Sequence, residues 1–98
     1  MSLQLVIRRA ARTEFDEAFD WYERQQPGLG VTFADHVHAV FESIRAMPEL
    51  HAPVYRDVRR ALVKPYPYAI ISRIRGNRVV VLAVFHSKRD PNIWKSRA

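Results

Sequence analysis

The second half of the chain alternates short apolar stretches with turn residues. Residues 79–85 are apolar throughout, rich in β-branched side chains and too few to cross a membrane. Such a run is typical of a buried central strand. Gly76-Asn77 predicts a tight connection before it, and residues 64–67 predict an earlier turn. We therefore expect three antiparallel strands, at residues 54–63, 68–75 and 78–86.

The first half shows helical spacing after a short β-type run at residues 3–7. Thr13 is the predicted N-cap of a first helix whose apolar positions run from Phe15 to Tyr22, and Pro27-Gly28 ends that helix. A second helix extends to the residue before Pro48, because proline disfavours helical geometry in the residue that precedes it. The expected order is β-α-α-β-β-β. This α+β fold, with a helical hairpin on one face of an antiparallel sheet, would form one domain over residues 1–98.

Charge divides the 98-residue chain into two unequal halves. Residues 1–53 carry five arginines, no lysine and eight acids, for a net charge of −3, whereas residues 54–98 carry eleven lysines and arginines and two acids, for +9. The basic half indicates a phosphate-bearing or strongly acidic partner. The absence of cysteine excludes disulfides and thiol chemistry and fits a reducing cytoplasm. With no signal peptide and no membrane-length apolar stretch, we expect a cytoplasmic protein that does not contact membranes.

Sequence motifs for common catalysis are absent. His36 and His38 point away from each other on a helix, and His51 and His86 have no carboxylate at ligand spacing, so no metal site is expected. The chain has no glycine-rich phosphate loop and no Gly-x-Ser-x-Gly nucleophile motif. We expect no cofactor.

Metal-free cleavage of RNA remains chemically possible, because it needs a base, an acid and cations around the phosphate. His86, at the end of the last strand, could be the base, and Arg89, Lys64 and Arg73 could supply cations. Each residue also has a structural interpretation. His86 could simply bond to backbone, Lys88 and Arg89 could form a solvated turn, and Trp94 could pack against the sheet instead of stacking on a base.

The chain resembles the RelE/ParE family of toxin-antitoxin toxins in residues 60–70, 79–84 and 85–94. The strand start Tyr66-Pro67-Tyr68 and the sequence from His86 to Pro91 carry most of the likeness. The resemblance implies the fold order given above. It also implies a small bacterial toxin of the plasmid stabilisation type, neutralised by a cognate antitoxin whose flexible acidic segment wraps the toxin.

Two targets occur within this family. The RelE-like branch cleaves messenger RNA on the ribosome, which would make His86 and Arg89 catalytic. It has an arginine where this chain has Ala69, a loss that Arg73 on the same strand face could offset, and a tyrosine where this chain has Trp94. Because the set of RelE-like catalytic residues is incomplete, the resemblance favours the ParE-like branch, which inhibits DNA gyrase by protein-protein contact. A relative that only binds its antitoxin is a third possibility.

The expected contact surface for target or antitoxin combines cations of the basic half with two aromatic residues. Its members are Arg60, Lys64, Tyr68, Arg73, Lys88, Arg89 and Trp94.

Overall fold

The computed structural model describes residues 2–98 and has the predicted α+β order. Its elements are β1 (Gln4–Ile7), α1 (Arg9–Gln25), α2 (Leu29–Ala46), a 3-10 turn (Pro48–Leu50), β2 (Pro53–Tyr55), β3 (Val58–Leu62), β4 (Tyr68–Arg75), β5 (Arg78–His86) and α3 (Asn92–Lys95). None of the helices in this part of the chain is both long enough and apolar enough to span a membrane.

All five strands join one sheet in the order β1-β5-β4-β3-β2. The predicted antiparallel arrangement of the last strands is confirmed, because β3 pairs with β4 and β4 with β5 in that sense. β1 adds to β5 as a parallel edge strand, with Ile7 opposite Val81. The chain then leaves the sheet at Arg8, whose N–H donates to the Val81 carbonyl at 3.0 Å. Within residues 2–98 the second half of β5 therefore has no strand on its outer side.

The single strand expected at residues 54–63 is wrong in detail. β2 and β3 are separate antiparallel strands, with Tyr55 opposite Val58. Between them Arg56 adopts a left-handed backbone with φ of 54°. That conformation is uncommon for a residue with a Cβ, and it reverses the chain within two residues. The apolar pattern on either side gave no sign of the break.

Two other local predictions differ from the structure. Thr13 is not the N-cap of α1, because the helix begins at Arg9 and the extended N-cap residue is Arg8. The Arg8 carbonyl accepts the Arg12 N–H at 2.9 Å, so the chain is already helical before Thr13. The tail after β5 contains the short helix α3, which is not among the elements in the predicted order.

The sheet is covered by apolar residues on both faces. One layer lies between the helical hairpin and the sheet and includes Phe33, Ile70 and Val84. A second layer on the opposite face, hereafter the far face, includes Ala69, Phe85 and the tail residue Trp94. Further members of the far-face layer are Val58, Ile71, Leu82 and Ala83. A β-bulge brings Leu82 and Ala83 to the same face, because Ile71 pairs with Ala83 whereas Ser72 pairs with Val81.

The connection between α1 and α2 is closed by one carboxylate. Glu23 accepts N–H bonds from Gly28 at 3.2 Å, Gly30 at 2.8 Å and Val31 at 3.3 Å. Gly28 has φ of 90°, a conformation that favours glycine, and α1 approaches so closely at Gly30 that an added Cβ would lie 2.7 Å from the Phe19 carbonyl oxygen. The Glu23 carboxylate thus supplies the acceptor for the free N–H groups at the start of α2.

We expect the Glu23 contacts to make stability depend on acid pH. The N–H bonds, that of Gly28 first, hold the pKa of Glu23 below its ordinary value of 4.5. A lowered pKa in the folded state stabilises the protein above that ordinary value, and the contribution is lost as the pH falls through the folded-state pKa. Glu23→Gln should therefore lower the Tm near neutral pH and flatten the fall of Tm on acidification.

Thermal melts of both proteins over a pH series measure this effect, with Glu17→Gln, which changes an exposed acid of α1, as the control. Parallel Tm curves for the wild type and Glu23→Gln would show that Glu23 does not couple folding to pH.

Candidate functional site

An open groove of about 930 Å³ runs between α1 and the end of β5. Tyr68, His86 and Arg89 line its sheet side, and Trp21 and Arg24 line its helix side. Tyr68, His86 and Arg89 were predicted from the sequence to belong to a functional surface, and the structure does bring these three together. The half-exposed Trp21 adds an apolar ring at the edge of the groove.

Glu14 of α1 holds this groove together. Its carboxylate accepts bonds from Arg89 Nη1 at 2.7 Å and from Arg97 Nη1 and Nη2 at 2.9 and 3.1 Å. It also accepts the backbone N–H of Val84 at 3.1 Å. The Glu14 side chain is only 10% exposed, whereas that of Arg89 is 42% exposed. One acid therefore ties the first helix to the last strand, to the turn that follows it and to the C-terminal residues.

These contacts take the place of the strand that β5 lacks beyond β1. Glu14 accepts the Val84 N–H, and Arg97 Nη1 donates to the Leu82 carbonyl at 3.1 Å. An unpaired strand edge buried against a helix would leave polar backbone groups without partners, at a cost of about 1–3 kcal/mol for each group. The two side chains supply those partners, and they also block this edge against pairing with another strand.

His86 is bonded to backbone as well as lining the groove. It lies opposite Tyr68 in the sheet, with ring centroids 5.0 Å apart. Its Nδ1 accepts the backbone N–H of Lys88 at 3.0 Å. A backbone N–H can only donate, so Nδ1 carries no proton and neutral His86 has its proton on Nε2. In that state Nε2 is able to donate a hydrogen bond, and the ring has no free nitrogen to act as a base.

Tyr68 stays a phenol near neutral pH. Burial raises the pKa of Tyr68, Arg89 lowers it by a smaller effect, and Glu17 and Glu14 raise it further. The pKa of Tyr22, whose ring meets that of Tyr68 edge to face at 6.4 Å, is also raised by burial. Both hydroxyl groups can therefore donate or accept hydrogen bonds, but neither is suited to accept a proton from a substrate.

Two of the predicted contact residues are buried on the far face. Trp94 is 6% exposed and belongs to the apolar layer with Ala69. Arg73 is 8% exposed, and its Nη2 donates to Asp57 Oδ1 at 2.8 Å. The expectation that Arg73 shares a strand face with Ala69 agrees with the structure. Burial nevertheless argues against a direct contact of Arg73 or Trp94 with a target.

The other predicted cations do not gather at one place. Arg60 is exposed on β3, Lys64 is exposed in the turn before β4, and Lys88 is exposed in the turn after β5. Only Lys88 is close in sequence to the groove residues His86 and Arg89. The seven predicted contact residues are therefore divided among the groove, the far face, the β3–β4 turn and the turn after β5.

Sequence reasoning missed Glu14 and Arg97. Glu14 belongs to no sequence motif, and its partners lie up to 83 residues away along the chain. Arg97 was part of the general basic charge of the tail. No local spacing links these two positions, so a single sequence offers no indication that they meet. Within residues 2–98 no three His, Asp or Glu side chains come together at metal-binding distance.

The fold and groove define a small basic α+β protein that offers cations, one exposed tryptophan and buried ion pairs, an arrangement suited to macromolecular contact. Residues 5–91 match the family model described as the ParE toxin of the type II toxin-antitoxin system, parDE. The chain belongs to this family of toxins.

Two comparisons illustrate the relationship. The chain is 26% identical over 93 residues to Toxin ParE2 of Mycobacterium tuberculosis, strains CDC 1551 / Oshkosh and H37Rv, covering 94% of this chain and 89% of the relative. A solved structure titled "Chromosomal ParDE TA system from P. aeruginosa" contains a chain of similar fold. Its TM-score is 0.78 at 15% identity, over 89% of this chain and 98% of that one.

Proposed function

We propose that this type II toxin acts in the bacterial cytoplasm by inhibiting DNA gyrase through protein-protein contact. We further propose that a cognate antitoxin neutralises it through a flexible acidic segment. The observation that carries the proposal is the match of residues 5–91 to the ParE family, because this branch was the one expected to act on gyrase.

The far face of the sheet supports contact over RNA cleavage. A metal-free nuclease needs exposed cations that can surround a phosphate during the reaction. On the far face, Ala69 and Trp94 lie in an apolar layer, and the guanidinium of Arg73 is committed to Asp57. The part of the far face around Ala69 therefore offers no free guanidinium group to a scissile phosphate.

Charge supports an acidic antitoxin segment. The groove is lined by four arginines, at positions 9, 24, 89 and 97, and by the acids Glu14, Glu17 and Asp20, so its net charge is positive by one. Within residues 2–98 Arg9 and Arg24 have no ion pair, whereas Arg89 and Arg97 both pair with Glu14. Arg89 keeps two further guanidinium nitrogens for other acceptors, since its bond to Glu14 uses Nη1 alone. A disordered acidic chain can wrap such a surface and gain affinity from many modest contacts.

One observation keeps messenger RNA cleavage as a second candidate. His86 and Arg89 line the same groove as Tyr68, so the two residues expected to be catalytic do lie near each other. Against it, Nδ1 of His86 is occupied by the Lys88 N–H and Arg89 is held by Glu14. A relative that only binds its antitoxin would share every one of these features.

The proposal is tested by expressing the chain in a bacterial host under tight control, with and without the antitoxin reading frame that adjoins its gene. The expected result is growth arrest with relaxed plasmid DNA and intact message, both reversed by the antitoxin. Circular dichroism of the purified chain checks that the toxin is folded.

Growth arrest with fragmented message and normally supercoiled plasmid would contradict gyrase inhibition and favour the nuclease. No growth effect from a folded, soluble chain would leave a protein that only binds its antitoxin.

A further inference from the structure

A cluster of two cations and two aromatic rings lies where the β2–β3 turn meets α3. The guanidinium carbon of Arg56 is 5.0 Å from the Tyr55 ring centroid, and Lys95 Nζ is 5.4 Å from the same centroid. Lys95 Nζ is also 6.0 Å from the ring of Trp94, which meets the Tyr55 ring nearly at right angles. This cluster lies apart from the groove, none of whose lining residues it contains.

The positive charges of the cluster have no counter-ion. Among residues 2–98 neither Arg56 nor Lys95 has a carboxylate within ion-pair distance. The two acids of the basic half are already engaged. Asp57 is paired with Arg73 and Arg75, and Asp90 accepts the Asn92 N–H at 2.9 Å. Both cations lie within 5.4 Å of the centre of one ring and neither is paired, so an anionic ligand would meet uncompensated positive charge here.

The cluster is also ordered in advance. The negative electrostatic potential over the faces of the Tyr55 ring attracts both cations, which restricts two long and otherwise flexible side chains. Arg56 has a left-handed backbone, a conformation that costs free energy in a residue with a Cβ. Ordering of this kind lowers the entropy that a ligand must overcome on binding.

Arg60 extends the positive charge along β3. It pairs with Ile71, a member of the far-face layer, so its side chain leaves the sheet on the same side as that of Tyr55. Arg60 is exposed and has no ion pair within the described part of the chain. Three unpaired cations therefore follow the edge of the far face.

We propose that Tyr55, Arg56, Lys95 and Arg60 form a binding site for the phosphodiester backbone of a nucleic acid. A phosphodiester chain carries one anionic group per nucleotide, so it can engage several separate cations at once. Guanidinium and ammonium groups both donate to phosphate oxygens, and the guanidinium can do so with two parallel bonds. The proposed site does not rest on gyrase inhibition. The binding experiment below contains no gyrase, so its outcome is separate from that of the supercoiling test.

The test is equilibrium binding by fluorescence anisotropy with the purified full-length chain. The probes are a labelled single-stranded DNA of about 20 nucleotides, the RNA of the same sequence and the matching DNA duplex, each over a range of salt concentration. We expect Arg56→Gln and Lys95→Gln each to weaken binding about three- to tenfold, and each to reduce the slope of log K against log salt by about one.

Control variants at Arg24 and Tyr55 distinguish binding at this site from general attraction by net charge. Arg24→Gln removes the same charge from the groove side of α1, and it should change the affinity less than about twofold. Tyr55→Phe keeps the ring and should bind like the wild type, whereas Tyr55→Leu should weaken binding as Arg56→Gln does, since the ring holds both cations. The probe bound most tightly identifies the source of the phosphodiester.

Three results would overturn the site. One is equal weakening by Arg24→Gln and Arg56→Gln, which would show diffuse attraction by net charge. Another is the absence of binding to all three probes by the folded chain at low salt. The third is binding of a poly-glutamate peptide as tightly as DNA with the same variant pattern, which would assign the cluster to an acidic protein segment.

Discussion

Replacing Glu14 with alanine is expected to lower the free energy of unfolding by about 3 kcal/mol, because breaking a buried ion pair leaves its partners uncompensated. The variant would leave two groups without their hydrogen-bond acceptor: the guanidinium of Arg97, which is 20% exposed, and the backbone N–H of Val84. The more exposed Arg89 would contribute less to the loss of stability, since water can replace the carboxylate as its partner. Urea unfolding followed by circular dichroism measures the change.

Two further substitutions sharpen the Glu14 test. Glu14→Gln keeps an oxygen that can accept the Val84 N–H and should lose less stability than Glu14→Ala. Glu17→Ala changes an exposed acid one turn along the same helix and should stay within about 0.5 kcal/mol of the wild type. If Glu14→Ala matched Glu17→Ala, the tie between α1 and the C-terminal residues would contribute nothing to stability.

Truncating Trp94 to alanine is expected to cost about 4 kcal/mol, the usual range for a buried aromatic residue, because it removes a large ring and leaves a cavity. Trp94 is 6% exposed and is the residue that brings the tail onto the far face. Ala69 and Ala83 in the same layer are too small to fill the space. The measurement is again the urea midpoint, with the m-value as a check on two-state unfolding.

The neighbouring residue provides the control for Trp94. Ile93 is 36% exposed, and Ile93→Ala should cost less than about 1 kcal/mol. A folded Trp94→Ala variant of unchanged stability that no longer bound the antitoxin or gyrase would show that Trp94 is a contact residue after all. It would also show that the far-face layer does not need the ring.

Local patterns predicted the elements of this fold, and the structure confirms their order. Helical spacing gave the hairpin, and the β-branched run at residues 79–85 gave the strand that has partners on both sides for its first half. The partner of β1 could not be derived in the same way, because no local sequence pattern indicates that residues 4–7 pair in parallel with residues 78–81. The break at Arg56 escaped notice because that turn contains neither glycine nor proline.

The candidate site was predictable only where its residues are close in sequence or in the sheet. His86 and Arg89 follow the last strand directly, and Tyr68 pairs with His86 across it. Trp94 and Arg73 have the chemical types of contact residues, but burial and the ion pair to Asp57 depend on the packing of the whole chain. Glu14 was missed for the same reason, since a carboxylate near a helix start usually serves its own helix.

The measurement that tests gyrase inhibition most directly is supercoiling by purified gyrase, titrated with the wild-type toxin and with His86→Ala. A parallel reaction with each toxin contains ribosome-bound messenger RNA. We expect both toxins to inhibit supercoiling at similar concentrations, within about twofold, and to leave the message intact, since contact needs no base. Cleaved message and unaffected supercoiling with the wild type would contradict gyrase inhibition. Loss of that cleavage in His86→Ala would make His86 catalytic.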